Sequence, residues 1–398
     1  MKILMVFQSS PYPTDLGPSK RNTPFLLENQ KRHEVSVLSF GTPEEEKGFR
    51  ETYGKNCKHI RFINNHRPRL LNLLLRIWNM LTGHNSSRWL YDTRMQAALD
   101  EMVLKEKFDL IHCCTPLFGY YRLPETIPLV GDAHNVAYDF FLRTYQQAKF
   151  GFGKLYLWLD YLHMKREEAA VSRRFDVLLA TTEIDKAKFQ QLLPEKRVVV
   201  IPNGVDASFF QQQHVDEVPK TMVFAGLMSY PPNAQGAAYF LDQIFPLIRK
   251  REPTAKVTIV GAYPPKSLLR YADENITITG WVDDVRPYFA RAQVFVIPLL
   301  VGGGIRGKAL EAMAMKRPIV STRIGCEGIA LAHEESALFA DTPEEFAEAV
   351  LRLFADADLR ARLTAKAYQN VLEGYSWEAN GRALDRVYHS LLNNRRPA

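Results

Sequence analysis

The stretch "VGGGIRGKALEAMAMKRPIV" (residues 301–320) concentrates residue types that bind phosphate. From Gly302 to Lys308 it satisfies G-x-x-x-x-G-K, the glycine loop that cradles nucleotide phosphates. That loop needs Ser or Thr after the lysine to ligate magnesium, and here the position is Ala309. No strand ending in aspartate stands out to supply a second metal contact. ATP hydrolysis is therefore not the expected chemistry. The physics of an anion site survives. Gly302, Gly303 and Gly304 follow the apolar run "VFVIPLL" and let the backbone approach a ligand, and a helix is expected to begin near Arg306. Free N–H groups at its start, and its macrodipole, favour an anion. Arg306 and Lys308 bring two cations to the same end, which suits a diphosphate without a metal. Glu311, further along the helix, is placed to accept hydrogen bonds from ribose hydroxyls. The alternative is a glycine turn and a surface helix with no ligand.

These residues need elements to position them. Short apolar runs alternate with helical stretches along the whole chain, the pattern of parallel sheets covered by helices. The first half offers "KILMVF", "HEVSVLSF", "FDLIHCC", "IPLVGDAH", "FDVLLATT" and "RVVVIPNG" as strands; the second restarts with "KTMVFAGL", "AKVTIVGA", "ITITGWV", "VFVIPLL", "RPIVSTRI" and "ALFA". Two such series are hard to reconcile with one sheet, and 398 residues are long for one core. The expected fold is α/β, two facing doubly wound Rossmann-like domains, residues 1–205 and 206–375. A last helix, 376–398, is expected to pack back onto the first domain. His134 follows an apolar run and precedes Asn135, so it is either a site residue or a turn or capping histidine; His112, inside such a run, is expected to be structural.

Composition narrows the class further. With 46% apolar and 24% charged residues the chain is that of an ordinary globular protein, and no apolar stretch approaches the length that spans a bilayer. Cys57, Cys113, Cys114 and Cys326 show no zinc spacing, which points to a reduced, cytoplasmic protein without structural metal. The net charge of +7 lies wholly in the first half: residues 1–200 carry 29 Lys and Arg against 22 Asp and Glu, and residues 201–398 carry 22 of each. Within 55–94, Lys55, Lys58, Arg61, Arg67, Arg69, Arg76, Arg88 and Arg94 stand against a single Asp92. A patch of the first domain should therefore meet something anionic, the alternative being a solvated charged face. Inside it, "RPRLLNLLLRIWNML" (67–81) puts Arg69, Asn72, Arg76 and Asn79 on one narrow helical face, as in a helix lying at an anionic membrane surface or one buried in the domain. "FGFGKLYLWLDYLHMK" (150–165) is a second such segment.

The segment "PLLVGGGIRGKALEAMAMKRPIVST" resembles the donor-binding signature of retaining GT-B glycosyltransferases of family 4, in the subgroup reading G-G-G-x-R-x-K-x-x-E-A-M-A. Five further stretches are similar to that family in its own order: "PYPTDLGPSKRN", "VGDAHNVAY", "VIPNGVDASFF", "VFAGLMSYPPNAQGAAYFLDQIFP" and "ITITGWVDDVRPYFARAQVFVIPL". The resemblance implies roles, with residues 1–205 on the acceptor side and 206–375 binding the nucleotide sugar. His134, Arg306 and Lys308 would be catalytic, the first beside the anomeric carbon and the other two neutralising the diphosphate. Gly17, Gly226, Gly303, Gly304 and Ile305 would line the donor, Val282 and Asp284 would lie by the base, and Glu311 would hold the ribose. This chain departs from the family at Gly303, which stands where the first glutamate of its E-x7-E pair belongs, and "GLMSYPPN" lacks the family's cations. A single Gly17 precedes Pro18 where many members have two glycines.

The implied activity is retaining, metal-independent transfer of a sugar from a nucleotide diphosphate sugar to a glycan or lipid-linked acceptor. Retention without a carboxylate nucleophile suggests front-face attack, a family expectation. No cofactor beyond the nucleotide-sugar substrate, and no nucleic acid, is expected; an anionic membrane surface is an expected partner through 55–94. Localisation would be cytoplasmic, peripheral on the inner face of the membrane. A GT-B nucleotide-sugar epimerase and a non-catalytic GT-B partner subunit are the alternative readings.

Overall fold

The computed structural model describes residues 1–13, 18–64, 78, 82, 91–148, 151–211, 215–301 and 304–395. The chain divides into two compact units, Met1–Ile201 with Gly381–Ala398, and Pro202–Asn380. Among the described residues no helix is long and apolar enough to cross a membrane.

The first unit is built on seven strands: β1 (Lys2–Phe7), β2 (Glu34–Phe40), β3 (Cys57–Ile63), β4 (Leu110–Cys113), β5 (Leu129–Asp132), β6 (Val177–Ala180) and β7 (Val198–Val200). They pair in parallel in the order β3-β2-β1-β4-β5-β6-β7, so the order reverses between β1 and β4. Residues 3–7 of β1 are all buried, the continuous apolar run that a sheet covered on both faces requires. Beyond the six strands read from apolar runs, β3 is a seventh. Its "CKHIRFI" exposes Lys58, His59 and Arg61 at the sheet edge, so no apolar run announces it.

That strand also changes the account of the basic patch. Lys58 pairs with Glu34 at 3.0 Å and Glu106 at 3.5 Å, and Arg94 pairs with Asp92 at 2.8 Å. Carboxylates outside the 55–94 segment thus offset part of its charge. Arg67, Arg69, Arg76 and Arg88, and the 67–81 stretch apart from Trp78, lie outside the described residues.

The second unit has six strands: β8 (Val218–Ala225), β9 (Lys256–Val260), β10 (Ile276–Ile278), β11 (Ala292–Ile297), β12 (Ile319–Ser321) and β13 (Leu338–Phe339). All pairings are parallel, in the order β10-β9-β8-β11-β12-β13, reversing between β8 and β11. The chain leaving β11 leads to the helix Gly307–Ala314, which buries Ala309, Leu310, Ala312, Met313 and Ala314. At the ends of β8 and β9 the backbones of Gly226 and Gly261 come together. Gly261 has φ +153°, and a Cβ on it would lie 1.7 Å from the Gly226 carbonyl oxygen. Gly261→Ala should therefore cost more than about 2 kcal/mol, because backbone would have to move. A lower urea midpoint checks this; a midpoint unchanged within error would show that the two backbones are not packed this way.

Candidate functional site

In open parallel sheets ligands sit beyond the carboxyl ends of the strands where the strand order reverses. In the second unit that place lies between β8 and β11. Gly226 follows β8, and residues 304–308 follow β11. Gly304 takes φ +75° with open space where a Cβ would stand, a turn that suits glycine. No side chain caps the helix start at Arg306, so its first-turn N–H groups are not claimed by a cap.

Lys308 is the centre of this region. Its ammonium donates to Asn233 Oδ1 at 2.7 Å and lies 4.3 Å from the centroid of the Phe224 ring. A Cβ on Gly226 would meet the same ammonium at 2.7 Å, so only glycine leaves the room. Burial lowers the Lys308 pKa to about 7; Glu311 works to raise it and Arg306 to lower it. The Arg306 guanidinium donates to the Gly304 carbonyl at 2.6 Å. Ile305 packs against the apolar core. The structure thus gathers Gly226, Gly304, Ile305, Arg306, Lys308 and Glu311. Val282 and Asp284 follow β10, two strands away from β8 across the sheet. The Asp284 carboxylate accepts from Arg286 Nε at 2.9 Å, and Arg286 lies 3.9 Å from the centroid of the Phe209 ring. Gly17 and Gly303 lie outside the described residues. Sequence reasoning missed Asn233 and Phe224. An asparagine after two prolines and a phenylalanine within a strand give no signal that they seat a lysine.

In the first unit His134 follows β5, and its Nε2 lies 3.1 Å from Asn22 Oδ1 on the helix Ser19–Gln30. Burial lowers its pKa, Asp132 opposes that and Arg21 adds to it, so the ring is neutral at neutral pH. The histidine does not cap the helix Ala137–Gln147. Glu168 does, accepting from the N–H groups of Ala137 and Tyr138 at 2.8 Å each. Burial raises Glu168 to about 7 against the pull of those two bonds. Behind His134 sits a buried polar cluster. Arg21 Nη2 donates to Asp132 Oδ1 at 2.8 Å, and both side chains are nearly inaccessible. His112, fully buried on β4, bonds through Nδ1 to the Tyr388 hydroxyl at 2.5 Å. Burial holds His112 down at about 4, which fits the structural role expected of it.

Burial pushes the Asp132 carboxyl up, but the Arg21 charge and hydrogen bonds together hold it below its ordinary range. Arg21→Met would leave that carboxylate buried without its cation and should cost about 3–5 kcal/mol. Arg21→Met with Asp132→Leu should recover much of the loss. Urea unfolding of Arg21→Met and of the double variant measures this, and an Arg21→Met protein as stable as the parent would contradict it. By the same linkage, the stability that Asp132 contributes is present at neutral pH and lost as the pH falls through its lowered pKa.

Comparison with known proteins bears on both units. The Glycosyltransferase Family 4 model matches residues 28–209, and the Glycosyl transferases group 1 model matches residues 219–356. A Klebsiella pneumoniae relative, described as an uncharacterized 44.6 kDa protein in the cps region, is 22% identical over 94% of this chain and 96% of its own. The lipopolysaccharide core biosynthesis glycosyltransferase LpsE of Rhizobium meliloti is 33% identical over 26% of this chain and 31% of its own. HepE of Anabaena, solved in complex with UDP, has the same fold, with a TM-score of 0.64 at 14% identity over 98% of this chain and 100% of its own. With one family model on each parallel-sheet unit and that shared fold, the chain is a glycosyltransferase of the family 4 type, built on the GT-B fold.

Proposed function

We propose that this glycosyltransferase moves a sugar, with retention and without a metal, from a nucleoside diphosphate sugar to a glycan or lipid-linked acceptor in surface or exopolysaccharide synthesis. One observation carries the donor reading: the Lys308 ammonium is held at the β8/β11 switch by a neutral amide and a ring face, with Arg306 and Glu311 beside it. An anion arriving there would favour the charged form of that lysine. HepE supports a uridine diphosphate donor, since it is solved with UDP and with UDP-glucose. The cps-region relative and LpsE support a place in polysaccharide synthesis.

Breaking the sugar–diphosphate bond puts negative charge on the departing phosphate. Lys308, Arg306 and the helix N–H groups stabilise that charge, while the backbone at Gly226, Gly304 and Ile305 lets the diphosphate approach. Glu311 accepts from the ribose hydroxyls, and Val282 and Asp284 serve the base. Gly17 and Gly303 keep the donor-lining roles given by resemblance. His134, neutral, contacts the donor sugar and the incoming acceptor, whose proton passes to the departing phosphate oxygen in a front-face attack. The reaction runs in the cytoplasm at the inner face of the membrane, where a lipid-linked acceptor is accessible.

Binding of UDP to the whole chain, followed by melting temperature and calorimetry with and without magnesium, tests the donor site. Millimolar UDP, GDP or ADP should raise the melting temperature without requiring the metal. No shift with any of the three sinks the reading. Glu311→Ala should weaken nucleotide binding by about 1–3 kcal/mol through lost charge-assisted hydrogen bonds, and unchanged affinity would remove Glu311 from the site.

The lowered Lys308 pKa adds a pH signature. A bound diphosphate favours the ammonium, so above pH 7 binding must draw a proton onto Lys308. Affinity should then fall as the pH rises above about 7, by up to about tenfold per unit. Calorimetry in buffers of different ionisation enthalpy should show proton uptake, and Lys308→Met should abolish it. Uptake that persists in Lys308→Met would assign the proton elsewhere.

A further inference from the structure

We propose that Asn233 is a positioning residue for sugar transfer: its side-chain amide seats the Lys308 ammonium and, being neutral, leaves that charge to be met by the diphosphate of the donor. This role rests on the donor reading above. It adds the residue that decides where the lysine stands and what it meets there.

Asn233 lies in the first turn of the helix Pro231–Tyr239, and its side chain is buried. Both ends of its amide are used. Nδ2 donates to the Leu227 carbonyl at 2.9 Å, and Oδ1 accepts from Lys308 Nζ at 2.7 Å. A carbonyl only accepts and an ammonium only donates, so these two partners fix which way the amide faces. The backbone N–H of Asn233 donates to the Tyr230 carbonyl at 3.0 Å. Further along the same helix, a Cβ on Gly236 would lie 2.9 Å from the Pro298 carbonyl oxygen, at the end of β11. The oxygen that meets the lysine is thus held from both sides of the β8/β11 switch.

The type of residue matters as much as its place. A carboxylate in this position would give the ammonium a permanent counter-ion and set a negative charge against an incoming diphosphate. An apolar side chain would take an acceptor away from a cation already costly to bury. The amide accepts one hydrogen bond and adds no charge. Among the described residues, the charges acting on the ammonium are Glu311, which favours its charged form, and Arg306, which opposes it. The helix Pro231–Tyr239 carries no charged residue, and β8 brings the Phe224 ring, with its own Lys220 near its other end.

Asn233→Asp and Asn233→Ala test this, because they should move the lysine in opposite directions. The rate at which acetic anhydride labels Lys308 in the unliganded chain, followed against pH by mass spectrometry, reports its protonation. The parent's midpoint should lie at about 7. Asn233→Asp should raise it by at least about one unit, and Asn233→Ala should lower it. Calorimetry with UDP follows the consequence. At about pH 7 Asn233→Asp should bind UDP at least about tenfold more weakly than the parent, because the carboxylate repels the diphosphate. Its affinity should then stay level as the pH rises, where the parent's falls, and proton uptake should vanish. A residue that served only the packing of its helix would weaken binding alike at every pH. Either variant decides the matter should the other fail to fold, since each shift has a fixed direction. A midpoint unchanged in either variant, or moved the same way in both, overturns the proposal. Opposite shifts in a chain that binds none of UDP, GDP and ADP would keep Asn233 as the seat of the lysine and overturn its service to a donor, so the two readings fail separately.

Discussion

Two glycine backbones packed too closely to admit a Cβ make the second unit's site possible. Gly261 presses on the carbonyl of Gly226, and Gly226 in turn leaves the volume in which the Lys308 ammonium sits. The hydrogen-bond acceptor in that volume is the neutral side-chain oxygen of Asn233, and the Phe224 ring adds its negative face. Burial makes the charged form of the lysine costly, so its charge is set by what the ends of β8 and β9 put around it and would be favoured by the anion proposed to bind there.

The first unit solves the opposite problem. Its buried charges, Arg21 and Asp132, pair with each other, while His112, neutral, bonds to Tyr388 through Nδ1 and keeps its Nε2 3.9 Å from Asp132 without a hydrogen bond. The cluster's effect is on the residue in front of it, because Arg21 and burial together keep His134 neutral although Asp132 is close. A neutral imidazole can act as hydrogen-bond donor or acceptor without attracting an anion of its own.

These differences decide what could be read from the chain. Strands such as "KILMVF" and "VFVIPLL" are continuous apolar runs because both faces of each sheet are covered, and they stand out from sequence alone. The edge strand β3 exposes Lys58, His59 and Arg61 and has no such run, so it did not. The segment proposed to meet the donor stands out because its glycines, cations and Glu311 lie within ten residues of one another, before and inside one helix start. Its seat does not, since Asn233 reaches Lys308 across 75 positions. The cluster behind His134 was hidden for the same reason: Arg21 and Asp132 are 111 positions apart, and His112 and Tyr388 are 276 apart. Local chemistry shows in a sequence, and chemistry assembled by topology does not.

The helix Phe152–Ser172 joins two of these themes. Its carboxylates are used inside, and one of them fixes the chain just beyond His134. Glu168 holds two backbone N–H groups at the start of the helix Ala137–Gln147, three residues after the histidine, and its pKa of about 7 records how far it is removed from water. The same rigid element therefore presents Trp158 outward and clamps the His134 segment inward. Turning that acid inward fixes the start of the helix Ala137–Gln147, and with it the chain just beyond a neutral histidine, at the expense of a carboxylate held away from water.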